Sequence, residues 1–205
     1  MAHIQYGCGF CAPPQWLNFD ASPTLRLQKL PLVAQLSIPE RRRFPANVLY
    51  GDILRGLPVK ARSCEAVYCS HVLEHLALND FRVALTNTRQ LLADRGIFRL
   101  VVPDLRAAAE RYLADRSGTA AVRFMTETIL GTAERSRGLG GLLRAWLGNS
   151  RHLWMWDYES LSEELAAAGF TGIRPARAGD SEDPKFAAVE EASRWVDAVG
   201  IQCYG

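Results

Sequence analysis

The sequence predicts an α/β fold, a mostly parallel sheet with helices on both faces. Three observations carry this. Short apolar runs alternate with segments of helical periodicity along the whole chain. The stretch from Glu65 to Asp104 reads as strand, helix, strand, with Ser70-His71 and Pro103-Asp104 just past the two strand ends. Glycines and acids follow the earlier strands as well, and ligands in open α/β sheets sit outside the carboxyl ends of strands.

Taken in order, Ile4–Tyr6 is a short strand ending in Gly7-Cys8-Gly9, and Trp16–Phe19 is a second, closed by Asp20. Ser22–Pro45 holds Leu25, Leu27, Leu30, Leu32 and Val33, a partly helical pattern, then the basic run Arg41-Arg42-Arg43. Asn47–Tyr50 is a third strand before Gly51-Asp52, and Ala66–Cys69 a fourth. Asn79 or Asp80 caps a helix carrying Phe81, Leu85, Thr88 and Leu92, and Gly96 stops it. Ile97–Val102 is nearly all apolar, as a strand covered on both faces should be.

Leu105, Ala109, Tyr112 and Leu113 mark another amphipathic helix, broken at Ser117-Gly118. Thr119–Ser150 is helical in pattern but loosened by glycines, too long for a plain connection and suited to a lid. Ser160-x-x-Glu163 has capping-box spacing for a helix ending at Gly169. Thr171–Pro175 and Ala198–Tyr204 complete the strands. The organisation is one domain over 1–205, with 105–156 as a helical lid and acceptor region.

Composition excludes several classes. With 205 residues, 48% hydrophobic and 22% charged, the chain can bury a full core. A formal charge of +2 gives no bias toward nucleic acid or anionic membrane surfaces. No apolar run approaches the ~20 residues that span a bilayer, and the start lacks a secretory signal's apolar core. Five scattered cysteines favour a reduced, cytoplasmic protein.

Candidate chemistry lies at the strand ends. Gly7-x-Gly9 lets backbone approach a ligand, though a tight turn explains it equally well. Asp20 suits two ribose hydroxyls and Asp52 an amine donor, since ionised carboxylates only accept; singly, each is also an ordinary turn or cap residue. His71-Val-Leu-Glu74-His75 spells H-x-x-E-H, the inverted zinc-hydrolase motif, yet no third ligand is evident and no metal is assigned. Cys8-x-x-Cys11 has redox spacing without the helix that follows it in thioredoxins. Around Arg151–Tyr158, Trp154 and Trp156 read first as core, or as an acceptor pocket with His152 as its base. Arg135, Arg137, Arg144 and Arg151 read as a solvated face or a hold on an anionic acceptor.

The segments YGCG with QWLNFD, GDILRGLPV, CSHVLEHL, LLADRGIFRLVVPDL and HLWMWDYESLSEELAAAGF together resemble class I S-adenosylmethionine-dependent methyltransferases, in a compact type-11-like form with a shortened front end. The resemblance implies a Rossmann-like sheet and a cytoplasmic enzyme using S-adenosylmethionine. It implies cofactor contacts at Gly7, Cys8, Gly9, Asp20, Gly51, Asp52, Ile53, Ser70, His71 and Glu74. The methyl would pass to an oxygen or nitrogen of a small-molecule or glycan-like acceptor, with His152, His71 or Asp104 taking the proton. Too few residues separate Gly9 from Asp20 for a crossover helix plus strand, because a crossover takes about 10–12 or more. The first helix should therefore be vestigial. A second copy of the chain could cover the apolar surface left there, and the shortened loop also suits a catalytically silent, methyltransferase-like binding or scaffold protein.

Overall fold

The computed structural model describes residues 1–30, 43–132 and 151–205. Leu32, Val33, Arg41 and Arg42, and residues 133–150 of the expected lid with Arg135, Arg137 and Arg144, lie outside them. Seven strands form one sheet: β1 (Ala2–Tyr6), β2 (Leu17–Asp20), β3 (Val48–Tyr50), β4 (Cys64–Ser70), β5 (Leu92–Pro103), β6 (Thr171–Pro175) and β7 (Ala198–Tyr204). Their order is β3-β2-β1-β4-β5-β7-β6. β1 to β5 pair in parallel, while β7 runs antiparallel to both β5 and β6. Among the described residues the helices are α1 (Pro23–Gln28), α2 (Leu78–Leu91), α3 (Leu105–Ala114), α4 (Ala120–Glu127) and α5 (Tyr158–Ala167).

Strand alternation gives the sheet two unlike faces. On one, Ile4, Tyr6, Phe19, Val67, Cys69, Phe98, Leu100 and Ile201 meet Phe81, Ala84 and Leu85 of α2 and Leu161 and Leu165 of α5. The α2 residues recur at helical spacing and form its buried stripe. The other face is mixed, and its polar side chains are buried too: His3, Gln5, Asn18, Arg99 and Gln202 are each at most 5% exposed.

No helix separates β1 from β2, as the short spacing requires. Side chains of the strands hold that connection instead. Gln5 donates to the Cys11 carbonyl at 2.7 Å, and Asn18 donates to the Pro13 and Trp16 carbonyls. The space is filled from the same chain: Trp16 packs with Phe186 and Val189 against Ala66, Tyr68, Ile97 and Val101. Phe186 belongs to the 3-10 turn Pro184–Ala188, and a second, Ala192–Trp195, follows.

This covering segment is acidic, and its acids answer the polar side chains of the mixed face. Arg99 donates to Glu190 at 2.7 Å, to Asp180 at 2.9 Å, to Gln202 at 2.7 Å and to the Arg177 carbonyl at 2.8 Å. Phe186 and Trp195 sit against its guanidinium. Glu182 accepts from Gln202 and Tyr204, and Asp183 pairs with His3.

Three local readings change. Gly96 does not stop α2. The helix ends at Leu91 and passes directly into β5, with Arg95 at φ 62° making the turn. Gly96 lies in the strand, where a Cβ would stand 2.7 Å from the Cys64 carbonyl oxygen. The capping box of α5 lies three residues earlier than predicted: Asp157 accepts from the Ser160 amide at 2.9 Å, and Ser160 receives the Asp157 amide. Likewise α2 starts at Leu78, with no side-chain cap from Asn79 or Asp80. No helix among the described residues is long and apolar enough to cross a membrane.

Removing one partner of a buried ion pair costs about 3–5 kcal/mol. Glu190→Ala should therefore lower unfolding stability by about 3 kcal/mol or more, read by urea denaturation at neutral pH. Acid should loosen the same cover. Burial alone would raise the carboxyl pKa values of Asp180, Glu182 and Asp183. Hydrogen bonds from Arg99, Tyr204 and His3 outweigh burial and hold the three below their ordinary values. Their stabilisation is complete above the unfolded carboxyl pKa of about 4 and drains away as pH falls below it. Thermal melts from pH 6 to pH 3 should show the midpoint falling mainly below about pH 4.

Candidate active site

The strand order reverses between β1 and β4, so a crevice opens outside their carboxyl ends. A cavity of about 490 Å³ there is lined by Gly7, Asp20, Gly51, Asp52, Ile53 and His71, among others. That volume lies within the ordinary range of about 300–1,000 Å³ for small-ligand sites. The larger groove of about 650 Å³ between α2 and α5, walled by Arg82, Trp154, Trp156 and Glu164, has no strand end in its lining.

The turn after β1 shapes the Asp20 side of the crevice. Gly7 has φ +67°, and a Cβ there would stand 2.1 Å from the Val72 side chain. Gly9 does not line the cavity; its amide donates to Asp20 Oδ2 at 3.0 Å, while Ser22 donates to Oδ1 at 2.8 Å. Two amides thus fix the carboxylate, and about half of its four acceptor positions stay free. Asp52 caps the turn Ile53–Arg55 by accepting from Leu54 at 3.0 Å. Asn87 donates to the Ile53 carbonyl at 2.7 Å and ties this floor to α2.

On the opposite wall, His71 leaves β4 in a left-handed conformation, φ 54°, with its amide bonded to Val101. Its Nε2 lies 2.8 Å from the Arg194 carbonyl oxygen, and its Nδ1 faces Glu74 at 3.4 Å. Burial pulls the His71 pKa down, but the nearby Glu74 carboxylate and the bond to the Arg194 carbonyl outweigh it and leave it raised. Glu74 is fully buried, and neither carboxylate oxygen has a hydrogen-bond partner among the described residues. His75 and His152 stand 4.0 and 3.9 Å from its Oε1. Burial lowers the His152 pKa, with Glu74 acting the other way.

The other predicted residues fall elsewhere. Among the three groups expected to take a proton, only His71 lines the crevice. His152 is 8% exposed and sits behind Glu74. Asp104 caps α3 by accepting from Arg106 and Ala107, and it lines a separate cavity with Tyr158 and Trp195. Cys8 packs with Leu25, Phe44 and Val48, and burial pushes its thiol to about 12. Ser70 borders a void of about 10 Å³ beside Cys8 and Arg194. Trp156 is core, stacked on Phe81, whereas Trp154 is 41% exposed. Sequence reasoning passed over Ser22, Leu54, Val72, His75 and Leu76 as lining. The H-x-x-E-H spacing was the signal for His75; the 3-10 turn Leu73–His75 delivers it to the crevice.

Comparison with known proteins agrees with this architecture. A methyltransferase-domain family matches residues 12–174. No curated protein matches the sequence. A S-adenosylmethionine-dependent methyltransferase from Thermotoga maritima, described as a possible histamine N-methyltransferase, superimposes with a TM-score of 0.54. It is 16% identical, over 99% of this chain and 81% of that one. The DszA carbon methyltransferase gives 0.52 at 13% identity, over 100% and 47%. A putative methyltransferase of Haloferax volcanii, solved with the Trm112 activator, gives 0.51 at 14%, over 99% and 81%. The chain spans about half the length of several structures it resembles.

The fold, with the crevice at its reversal point, is that of class I S-adenosylmethionine-dependent methyltransferases. The chain belongs to the methyltransferase-domain family, whose cofactor is S-adenosylmethionine. The residues fit the nucleoside half of that cofactor, because Asp20 and Asp52 end neighbouring strands and face one cavity with acceptor capacity to spare.

The turn makes a clean comparison. A non-glycine residue at left-handed φ costs about 1–2 kcal/mol. Gly9→Ala meets open space and should cost only that. Gly7→Ala adds the collision with Val72 and should destabilise clearly more, measured as the difference between their denaturation midpoints.

Proposed function

We propose that the crevice holds S-adenosylmethionine with its ribose hydroxyls on Asp20 and its adenine amine toward Asp52, and that the methyl passes to an oxygen or nitrogen of a small-molecule or glycan-like acceptor. The observation that carries this is the convergence of Gly7, Asp20 and Asp52 on one cavity of about 490 Å³. When bound, the cofactor supplies a methyl carbon activated by sulfonium for in-line displacement. The chain's task is then alignment, which supplies about 7–11 kcal/mol in well-oriented cases.

The acceptor side is the His71–His75 wall, across the crevice from the two acids. His71 and His75 make that wall polar, a surface suited to an acceptor that carries O–H or N–H groups, which supports those nucleophiles over carbon. The fold alone does not choose, since it is shared by a possible histamine N-methyltransferase and a carbon methyltransferase. Residues 105–156 reach this wall through His152, whose ring neighbours His75 at 5.0 Å between centroids. Within a single domain over 1–205, that stretch forms the acceptor-side region.

Calorimetry with S-adenosylhomocysteine tests the reading. Micromolar binding is expected for the whole chain. Asp52→Asn keeps the cap on Leu54 but removes the charge, and a hydrogen bond to a charged group is worth about 1.5–3 kcal/mol. Affinity should fall about tenfold to a hundredfold, with the melting temperature nearly unchanged. No heat with the unaltered protein would sink the assignment.

A further inference from the structure

We propose that Glu74, His75 and His152 form a binding site for one divalent transition-metal ion, set in the inner wall of the crevice. One ligand atom from each, a carboxylate oxygen and two imidazole nitrogens, lies within 4.8 Å of the other two. Glu74 Oε1 is 4.0 Å from His75 Nε2 and 3.9 Å from His152 Nε2. Bonds from such an ion to nitrogen and oxygen are about 2.0–2.2 Å, which in a tetrahedral site spaces ligand atoms about 3.3–3.6 Å apart; each imidazole must therefore move several tenths of an ångström toward Glu74, and the two imidazoles must close on each other by up to about 1.5 Å.

Three independent features point to a cation. First, Glu74 is fully buried, yet neither of its oxygens meets an aligned donor among the described residues. Arg99, equally buried, is by contrast answered by two carboxylates, an amide and a carbonyl. Second, His75 Nδ1 stands 2.8 Å from the Arg151 carbonyl oxygen. Donation there places the ring proton on Nδ1 and leaves Nε2, the atom facing Glu74, as a free acceptor, the arrangement of metal-binding histidines. Third, the Glu74 backbone is pinned from the same side, its carbonyl accepting from Leu153 and Trp154. The turn carrying Glu74 and His75 is thereby locked against the residues flanking His152.

The donor set names the class of ion. Two imidazoles and a carboxylate suit zinc, cobalt, nickel, iron or manganese, whereas magnesium and calcium favour oxygen throughout. His75 also lines the crevice, so the ion would lie one side chain from the bound ligand. His71, 3.4 Å from Glu74, offers the competing answer of a protonated imidazole beside the acid. Cys8-x-x-Cys11 offers the competing site.

The test uses the whole chain, stripped by chelator and free of cofactor, so it stands or falls separately from the proposed function. Zinc is titrated by calorimetry, and cobalt by its visible absorption bands. One ion per chain is expected. Glu74→Gln and His75→Asn should each weaken it by more than about a hundredfold, since outer-shell partners alone are worth about 10–100-fold. Circular dichroism checks that both variants fold; His75 is the more exposed position and serves if Glu74→Gln does not. Cys11→Ser should bind as the parent does. Absence of a stoichiometric ion, binding that survives in a folded His75→Asn protein, or loss in Cys11→Ser would each overturn the site.

Discussion

Arg99 decides how this sheet can be covered. A fully buried guanidinium on a central strand cannot face the apolar stripe of a helix, because an uncompensated buried charge costs several kcal/mol. It requires acceptors on several sides at once. The segment between β6 and β7 supplies Asp180, Glu190 and the Arg177 carbonyl, and β7 supplies Gln202. An irregular, acid-bearing segment can present those groups in the needed directions. The aromatic rings of Phe186 and Trp195 then close over the remaining surface.

The same segment compensates for the absent first helix and reaches the crevice. Phe186 packs on Trp16 from the β1–β2 connection, so the shortened front end and the covering segment share one interface. Further along, the Arg194 carbonyl accepts from His71, and its guanidinium donates to the Ser70 carbonyl at 3.3 Å. His71 is left-handed, a conformation that surrounding structure must hold at a cost of about 1–3 kcal/mol. The Arg99 cluster and the His71 wall are thus two ends of one covering element, and the position of the wall depends on charge pairing across the sheet.

The order of strands, the acids at their ends and the missing helix were legible because each is local: alternation, a polar residue after an apolar run, a spacing. Arg99 stood in plain view inside IFRLVV, but its partners lie 78 to 103 residues away and no periodicity links them. Gly96 was misread for a related reason. A glycine after a helix suggests a stop, while its actual cause is the Cys64 backbone on a neighbouring strand. In the site, Asp20 and Asp52 could be placed because strand ends converge in this topology. That His152 and Asp104 stand away from the crevice could not be read, since burial behind Glu74 and capping of α3 are facts of packing.

The two buried charges together explain why one wall of the crevice is built as it is. Arg99 shows that the chain pays for a buried ion by surrounding it with partners of opposite sign. Glu74 is equally buried, and its neighbours are three imidazoles, groups whose charge and ligands are adjustable. A fixed cation such as arginine would have closed that wall permanently. Imidazoles leave it open to a proton or an ion, held on a 3-10 turn that is itself braced by Arg151, Leu153 and Trp154. The crevice thus joins a rigid half, with Asp20 locked by two amides, to an adjustable half around Glu74.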